Sequence, residues 1–355
     1  NIMGGMCARV CPTEVLCEEA CVRNTHEEKP VEIGLLQRYA TDPVFEHSDQ
    51  LFQRAVATGK KVAVVGGGPA GLSCAHRLAV LGHNVTIFNR DSKLGGLNEY
   101  GIAAYKAIDD FAQTEVDYIL SIGGIEVRNN LMLGVNFGLD DLRQEYDAVF
   151  LGVGLALSNN LGVAGEELDG VVNAIEYIAK LRQAADKSTL PVGRKIVVIG
   201  GGMTAIDVAV QSKRLGAEEV HMVYRRGPEQ MSASVFEQAL AQTSGVTLHH
   251  WASPARILGD DFVTGVEFDV DRSDGGVRLD ADVVFKAIGQ RMDGNGLASL
   301  ASESGRFIVD EHQKTSTDKV WAGGDCVVGG DDLTVSAVQH GKIAAISIDQ
   351  TLRSR

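Results

Sequence analysis

Residues 60–71 read KKVAVVGGGPAG. An apolar run, 62–65, leads into Gly66, Gly68 and Gly71 at the spacing G-x-G-x-x-G, and a helical pattern over 72–81 follows. In such a strand-turn-helix one glycine makes the tight turn, one lets backbone N–H groups approach a pyrophosphate, and one lets the helix pack on the strand. The pyrophosphate then lies at the positive end of the helix. A second strand is expected over 83–88. The fingerprint places an acidic residue for ribose hydroxyls at its end. Here Asn89 stands there, an amide that can still accept and donate, with Arg90 beside it. Gly95 and Gly96 offer another point where backbone can pass close to a cofactor. Cys74, on the apolar face of the helix, reads as a small packed hydrophobe.

The motif then recurs. Residues 195–205, KIVVIGGGMTA, again give strand, turn and helix, with Gly200, Gly202 and Ala205 at G-x-G-x-x-A. Two fingerprints in one chain imply two dinucleotides in two domains. The strand expected over 219–224 ends in Arg225 and Arg226. Arginine at this point accommodates a 2'-phosphate, because its planar donor fork binds phosphate bidentately. NADPH is therefore expected over NADH, the plain alternative being a solvated basic pair. Further strands are expected over 146–154, 246–251, 262–270 and 282–288, a helix over 170–185 and a turn at 273–276. A late strand over 319–325 ends in Gly324 and Asp325, and Thr334 opens a helix to about 352. Asp325 can accept from cofactor hydroxyls, and the helix start can stabilise negative charge on a flavin ring.

The 355 residues suggest two or three domains at roughly 100–200 residues each. An apolar fraction of 45% with 41 glycines and 7 prolines fits an α/β protein with many tight turns. A net charge of -14 argues against a nucleic-acid or anionic-membrane partner. No apolar run reaches the ~18 residues of a membrane span. With no visible signal peptide, a cytoplasmic protein is expected. The chain opens on Asn1, which suggests that a longer natural sequence precedes it. Residues 1–56 read as helical and hold Cys7, Cys11, Cys17 and Cys21 at C-x3-C-x5-C-x3-C. Thiolates at this density suit soft metals. An iron-sulfur cluster, zinc and structural thiols all remain open, although zinc expects paired C-x2-4-C knuckles in a closed set of four ligands, which this spacing does not match well.

The order of two glycine turns and a late Gly-Asp strand is similar to the FAD/NAD(P)H oxidoreductases with paired Rossmann domains. Within them, CARVCPTEVLCEEAC (7–21) and IGLLQRYATD (33–42) resemble the electron-entry part of dihydropyrimidine dehydrogenase. Glutamate synthase small subunits and ferredoxin-NADP transhydrogenase flavin subunits share the architecture. The resemblance implies an α/β fold with two Rossmann-like domains, for FAD and for NAD(P)H, of the pyridine-nucleotide reductase type, behind an N-terminal α-helical iron-sulfur segment. It divides the chain into a cysteine-rich segment (1–58), a first FAD part (59–168), an NAD(P)H domain (169–289) and a second FAD part (290–355).

By the same resemblance FAD falls on Gly66, Gly68, Pro69, Ala70 and Gly71, and on Asn89, Arg90, Gly95, Gly96 and Leu97. Gly324, Asp325 and Thr334 complete it, with Lys106 where the family usually writes arginine. NADPH falls on Gly200, Gly202, Thr204, Ala205, Arg225 and Arg226, and on Ala287, Ile288 and Gly289. Cys11, Cys17 and Gln37 would serve one [4Fe-4S] cluster and Cys21 another, with Cys7 outside both sets. The remaining ligands would lie upstream, so both clusters are expected to be incomplete here.

The implied reaction moves hydride from NADPH to FAD and sends electrons through the clusters to a partner subunit that reduces uracil or thymine. The alternatives are electron input to a glutamate synthase large subunit, again in a hetero-oligomer, or a non-catalytic FAD-binding redox module. Hydride transfer requires no acid-base residue. Asp325 and Thr334 are the expected flavin-tuning groups. A disulfide reductase is not expected, because neither Cys74 nor Cys326 has a neighbouring thiol.

Overall fold

Residues 1–27, 29–47, 50–271 and 275–354 are described in the computed structural model. The strand Lys61–Val65 is buried from its second residue onward, as its unbroken valine and alanine run requires. A strand covered on both faces cannot alternate apolar with polar. It is the centre of a five-stranded parallel sheet ordered Val320–Ala322, Ala148–Leu151, Lys61–Val65, Asn84–Phe88, Ile125–Arg128. The chain moves outward on one side of Lys61–Val65 and then crosses to the other. The resulting switch point lies beyond the strand's carboxyl end, where open α/β sheets bind ligands.

A second parallel sheet repeats the plan around Lys195–Ile199. Its order is Val171–Asn173, Val283–Lys286, Lys195–Ile199, Glu219–Tyr224, Thr247–His250. An antiparallel sheet of Ala252–Gly259, Val263–Val270 and Val277–Asp280 covers one face, packing Val266 and Phe268 with Val197 and Val223. The last helix, Thr334–Arg353, lies along the helix Pro69–Val80. Gly341 permits the contact, since a Cβ there would sit 2.2 Å from the Ala70 carbonyl oxygen. Ser73 Oγ donates to the Val338 carbonyl at 2.7 Å, and Trp321 Nε1 donates to Ser347 Oγ at 2.9 Å.

The cysteine segment is helical as expected, with Gly4–Val10, two short turns and Ile33–His47. Its first helix is held from outside. Glu115, on the helix Phe111–Leu120, accepts from the Gly5 and Met6 amides at 2.9 and 3.1 Å. Met3 and Met6 are enclosed beside them. Burial pushes the Glu115 carboxyl up to about 8, against the pull of those two amides and of Arg9.

Several expected elements shift. The helix expected over 170–185 begins only at Ala174, because Val171–Asn173 is an edge strand paired with Val283–Lys286. The strand expected over 246–251 stops at His250. Trp251, at φ +56°, breaks it, and Ala252–Gly259 resumes as a strand of the antiparallel sheet. The run expected over 146–154 is a paired strand only at Ala148–Leu151, before Gly152. The turn expected at 273–276 falls partly outside the described residues.

Candidate cofactor cleft

A cleft of about 1250 Å³ receives both glycine turns, the Gly324–Asp325 strand end, and Cys7 and Cys11 of the first segment. At the first turn Gly66 has φ +103°, and a Cβ on it would stand 2.2 Å from the Gly152 carbonyl oxygen. A Cβ on Gly71 would stand 1.9 Å from the Gly66 carbonyl oxygen. Gly71 is thus a packing glycine behind the cleft wall, while Gly66, Gly68, Pro69 and Ala70 line it. Gly68 caps the helix Pro69–Val80 without any side-chain hydrogen bond, so its first amides face the cleft unclaimed by a cap. Gly96 closes on it from the far side, where a Cβ would lie 2.7 Å from Gly68 Cα. Gly95 donates its amide to the Gly67 carbonyl at 2.7 Å.

Asn89 lines the cleft, and its amide already has protein partners. Oδ1 accepts from the Gly67 amide at 3.2 Å, and Nδ2 donates to the Asp91 and Lys93 carbonyls at 2.8 and 2.9 Å. It therefore braces the turn. Arg90 and Leu97 also line the cleft, with Arg90 Nε 3.4 Å from Asp91 Oδ1. Lys106 lines it too, with its ammonium 2.7 Å from Asp207 and 2.8 Å from Glu237.

Asp325 is half-buried in the cleft wall. Burial, reinforced by Asp332, raises its carboxyl to about 6, while its own backbone amide and Arg306 pull the other way. Thr334, at the start of the last helix, donates to Asn98 Oδ1 at 2.8 Å. Asn98 Nδ2 is buried without a hydrogen-bond partner among the described residues. That is a donor left for a ligand, because a buried amide without a hydrogen bond is costly. Sequence reasoning missed Asn98. Its position directly after Gly95, Gly96 and Leu97 was the available signal.

The second turn repeats the first. A Cβ on Gly200 would meet the Ala287 carbonyl oxygen at 2.2 Å, and Gly202 caps the helix Met203–Arg214 without a side-chain hydrogen bond. Gly200, Gly202, Thr204, Arg225, Ala287, Ile288 and Gly289 line the cleft; Ala205 is buried behind it. Arg225 and Arg226 are both exposed, and neither has an ion pair among the described residues. Arg226 is outside the cleft lining. The geometry fits two dinucleotides: backbone cradles that a Cβ would fill, two uncapped helix starts and an orphaned donor.

The thiols divide in two groups. Cys7 is buried with Asn1 Nδ2 at 3.1 Å, and burial raises its thiol to about 11. Cys17 is exposed, and Cys11 and Cys21 are half-buried. The Val31 amide points at Cys21 Sγ and lowers its pKa, whereas burial and then Cys17 raise that of Cys11. Gln37 lies on the helix Ile33–His47. Among the described residues no three His, Cys, Asp or Glu side chains converge as a metal site. Cys11, Cys17 and Cys21 are thus not gathered into one metal site among the described residues. Cys74 and Cys326 are fully enclosed and unpaired, as expected of packed thiols.

Residues 60–341 match the family described as pyridine nucleotide-disulphide oxidoreductase. The chain belongs to that family. Residues 1–49 of this oxidoreductase match dihydropyrimidine dehydrogenase domain II, 4Fe-4S cluster. It is 33% identical over 353 residues to the NAD-dependent dihydropyrimidine dehydrogenase subunit PreT of Salmonella typhimurium, covering 99% of this chain and 83% of that one. It is 36% identical over 382 residues to the glutamate synthase [NADPH] small chain of Escherichia coli, covering 98% and 80%. The fold is similar to that of the thioredoxin reductase of T. acidophilum, at TM-score 0.67 and 21% identity over 82% of this chain and 99% of the other. The oxidoreductase uses NAD(P)H and FAD, and its first segment is a 4Fe-4S domain. Among the described residues no helix is long and apolar enough to cross a membrane.

Proposed function

We propose that this oxidoreductase is the electron-input part of a pyrimidine-reducing dehydrogenase, drawing electrons from NADPH and handing them to a partner subunit. The observation that carries this reading is the single cleft in which two dinucleotide turns meet Cys7 and Cys11. FAD, when bound, accepts a pair of electrons from a nicotinamide and can release them singly. The protein supplies placement. Gly66, Gly68 and Gly96 shape a backbone cradle for one pyrophosphate, with Asn98 Nδ2 and Asp325 as the donor and acceptor facing its cofactor. Gly200 and Gly202 shape the other, with Arg225 at its rim. No proton need be moved by a side chain.

The relatives' names divide on the nucleotide, NAD for one and NADPH for the other. Arg225 and Arg226 favour NADPH in this chain, as an unpaired guanidinium beside the second turn suits a 2'-phosphate. Replacing both with alanine should weaken NADPH roughly ten- to a hundredfold and leave NADH nearly unchanged, as loss of charged hydrogen bonds implies. Equal losses for the two nucleotides would remove the assignment. The second reading, electron input to glutamate synthase, is favoured by the 36% identity to its small chain. Capture of partners on the full-length protein separates the two. A subunit that reduces uracil or thymine supports the first, and a glutamine amidotransferase overturns it.

A further inference from the structure

Segment 97–107 joins the two turns. It begins at Gly96, whose backbone closes on Gly68 of the first turn, and it ends against the helix Met203–Arg214, whose N-cap is Gly202 of the second. Asp207 stands little more than one helical turn from that cap, about 7 Å along the axis. It gathers three groups from the segment: the Ala103 amide at 3.3 Å, the Tyr105 hydroxyl at 3.0 Å and the Lys106 ammonium at 2.7 Å. One turn further on, Gln211 Oε1 accepts from the Ala104 amide at 3.0 Å. At the helix end, the Arg214 guanidinium lies 4.2 Å from the centre of the Tyr105 ring. Positions 207, 211 and 214 share one helix face, so a single surface of the second domain grips the segment.

The other side of the segment is held as well. Arg182, from the helix Ala174–Gln183, donates to the Glu99 carbonyl at 2.9 Å and to the Ala107 carbonyl at 2.6 Å. Lys106 also reaches Glu237, on the helix Val235–Thr243, at 2.8 Å. That helix is capped by Ser234, whose hydroxyl donates at 2.6 Å to Glu14, on the short 3-10 turn Thr13–Val15 between Cys11 and Cys17. Burial alone would lower the Lys106 ammonium, but Asp207 and Glu237 outweigh it and hold it protonated. Two carboxylates already claim one ammonium, leaving no surplus positive charge for an anionic cofactor.

We propose that Lys106 is a positioning residue: its ammonium, shared by Asp207 and Glu237, fixes the distance and orientation between the two nucleotide turns. The resemblance sets Lys106 with the FAD residues, but its ammonium is already taken by Asp207 and Glu237, so it acts through the protein and not by touching a cofactor. This inference rests on the two-nucleotide reading above. A displacement of about 1 Å at the reacting centres can lower a rate by as much as a hundredfold, so the clasp governs the transfer rate more than either affinity.

The test compares Lys106→Met, Lys106→Arg and Asp207→Asn with the wild-type protein loaded with FAD. Three quantities are read: bound FAD per chain, the affinity for oxidised NADP, and the limiting rate of flavin bleaching by NADPH in an anaerobic stopped flow. Lys106→Met should keep its FAD and bind oxidised NADP within about threefold, yet bleach roughly ten- to a hundredfold more slowly. Lys106→Arg should recover most of that rate, since it can still bridge two carboxylates. Hydrogen exchange at the Ala103 and Ala104 amides should accelerate in Lys106→Met and in Asp207→Asn, because their acceptors lie on the second domain. A Lys106→Met protein with an unchanged rate, or one whose rate falls only in proportion to lost FAD, overturns the proposal. If Lys106→Met does not fold, Asp207→Asn, which keeps the side-chain shape, carries the same rate and exchange criteria. Wild-type flavin that no nicotinamide reduces would refute the oxidoreductase reading itself, and the exchange arm would then decide on the clasp alone.

Discussion

At the scale of single residues, the tightest constraints lie where backbone meets backbone. A methyl group on Gly71 would lie 1.9 Å from the Gly66 carbonyl oxygen, so Gly71→Ala must push the helix Pro69–Val80 off its strand. FAD content, read from the absorbance ratio of purified protein, should fall severalfold; undiminished FAD would show that the turn is not its cradle. Asn98 gives a milder test. Its buried Nδ2 has no partner among the described residues, so Asn98→Ala should weaken FAD by roughly tenfold, the worth of one or two hydrogen bonds, in a flavin-release titration.

Glu115 gives a pH dependence. Its folded-state pKa of about 8 lies above the unfolded value, so the unfolded chain gives up the proton first. Its contribution to stability is therefore full at acid pH and is lost as pH rises through about 8. Glu115→Gln keeps an acceptor oxygen for Gly5 and Met6 without an ionisable proton. Its melting temperature should gain on wild type by a few degrees between about pH 5 and pH 9. A gap that stays constant with pH would show that Glu115 is not the titrating group.

At the scale of elements, the contact between Thr334–Arg353 and Pro69–Val80 joins the last part of the chain to the first turn. Its closeness depends on Gly341. Gly341→Val should destabilise the fold by about 1–3 kcal/mol, the cost of overpacking a close contact, as measured by denaturant unfolding. Elements with strong local patterns were readable in the sequence. The strand Glu219–Tyr224 and the start of the last helix at Thr334 fall where periodicity places them. Val171–Asn173 was not readable, because three residues carry no period and only its neighbour Val283–Lys286 makes it a strand. The break at Trp251 was hidden for the same reason: a positive φ on a bulky residue is imposed by tertiary structure.

At the scale of the whole molecule, the two glycine turns were legible because their requirement is local: a backbone that nothing larger than hydrogen can approach. The junction between them was not. Tyr105 and Asp207 are 102 positions apart, and no pattern in either neighbourhood announces the other. Asn89 shows the same limit, as its position follows from the fingerprint while its bonds to Gly67, Asp91 and Lys93 follow only from the fold. The proposed division of the chain at 58/59, 168/169 and 289/290 is open to limited proteolysis, which should cut at those connections before it cuts either parallel sheet.

The central claim is that both dinucleotides meet in one cleft. Anaerobic addition of one equivalent of NADPH to the FAD-loaded protein tests it most directly. The account predicts that the oxidised flavin band bleaches in step with NADPH consumption, without any partner or thiol substrate present. A flavin band that persists beside unconsumed NADPH would contradict it.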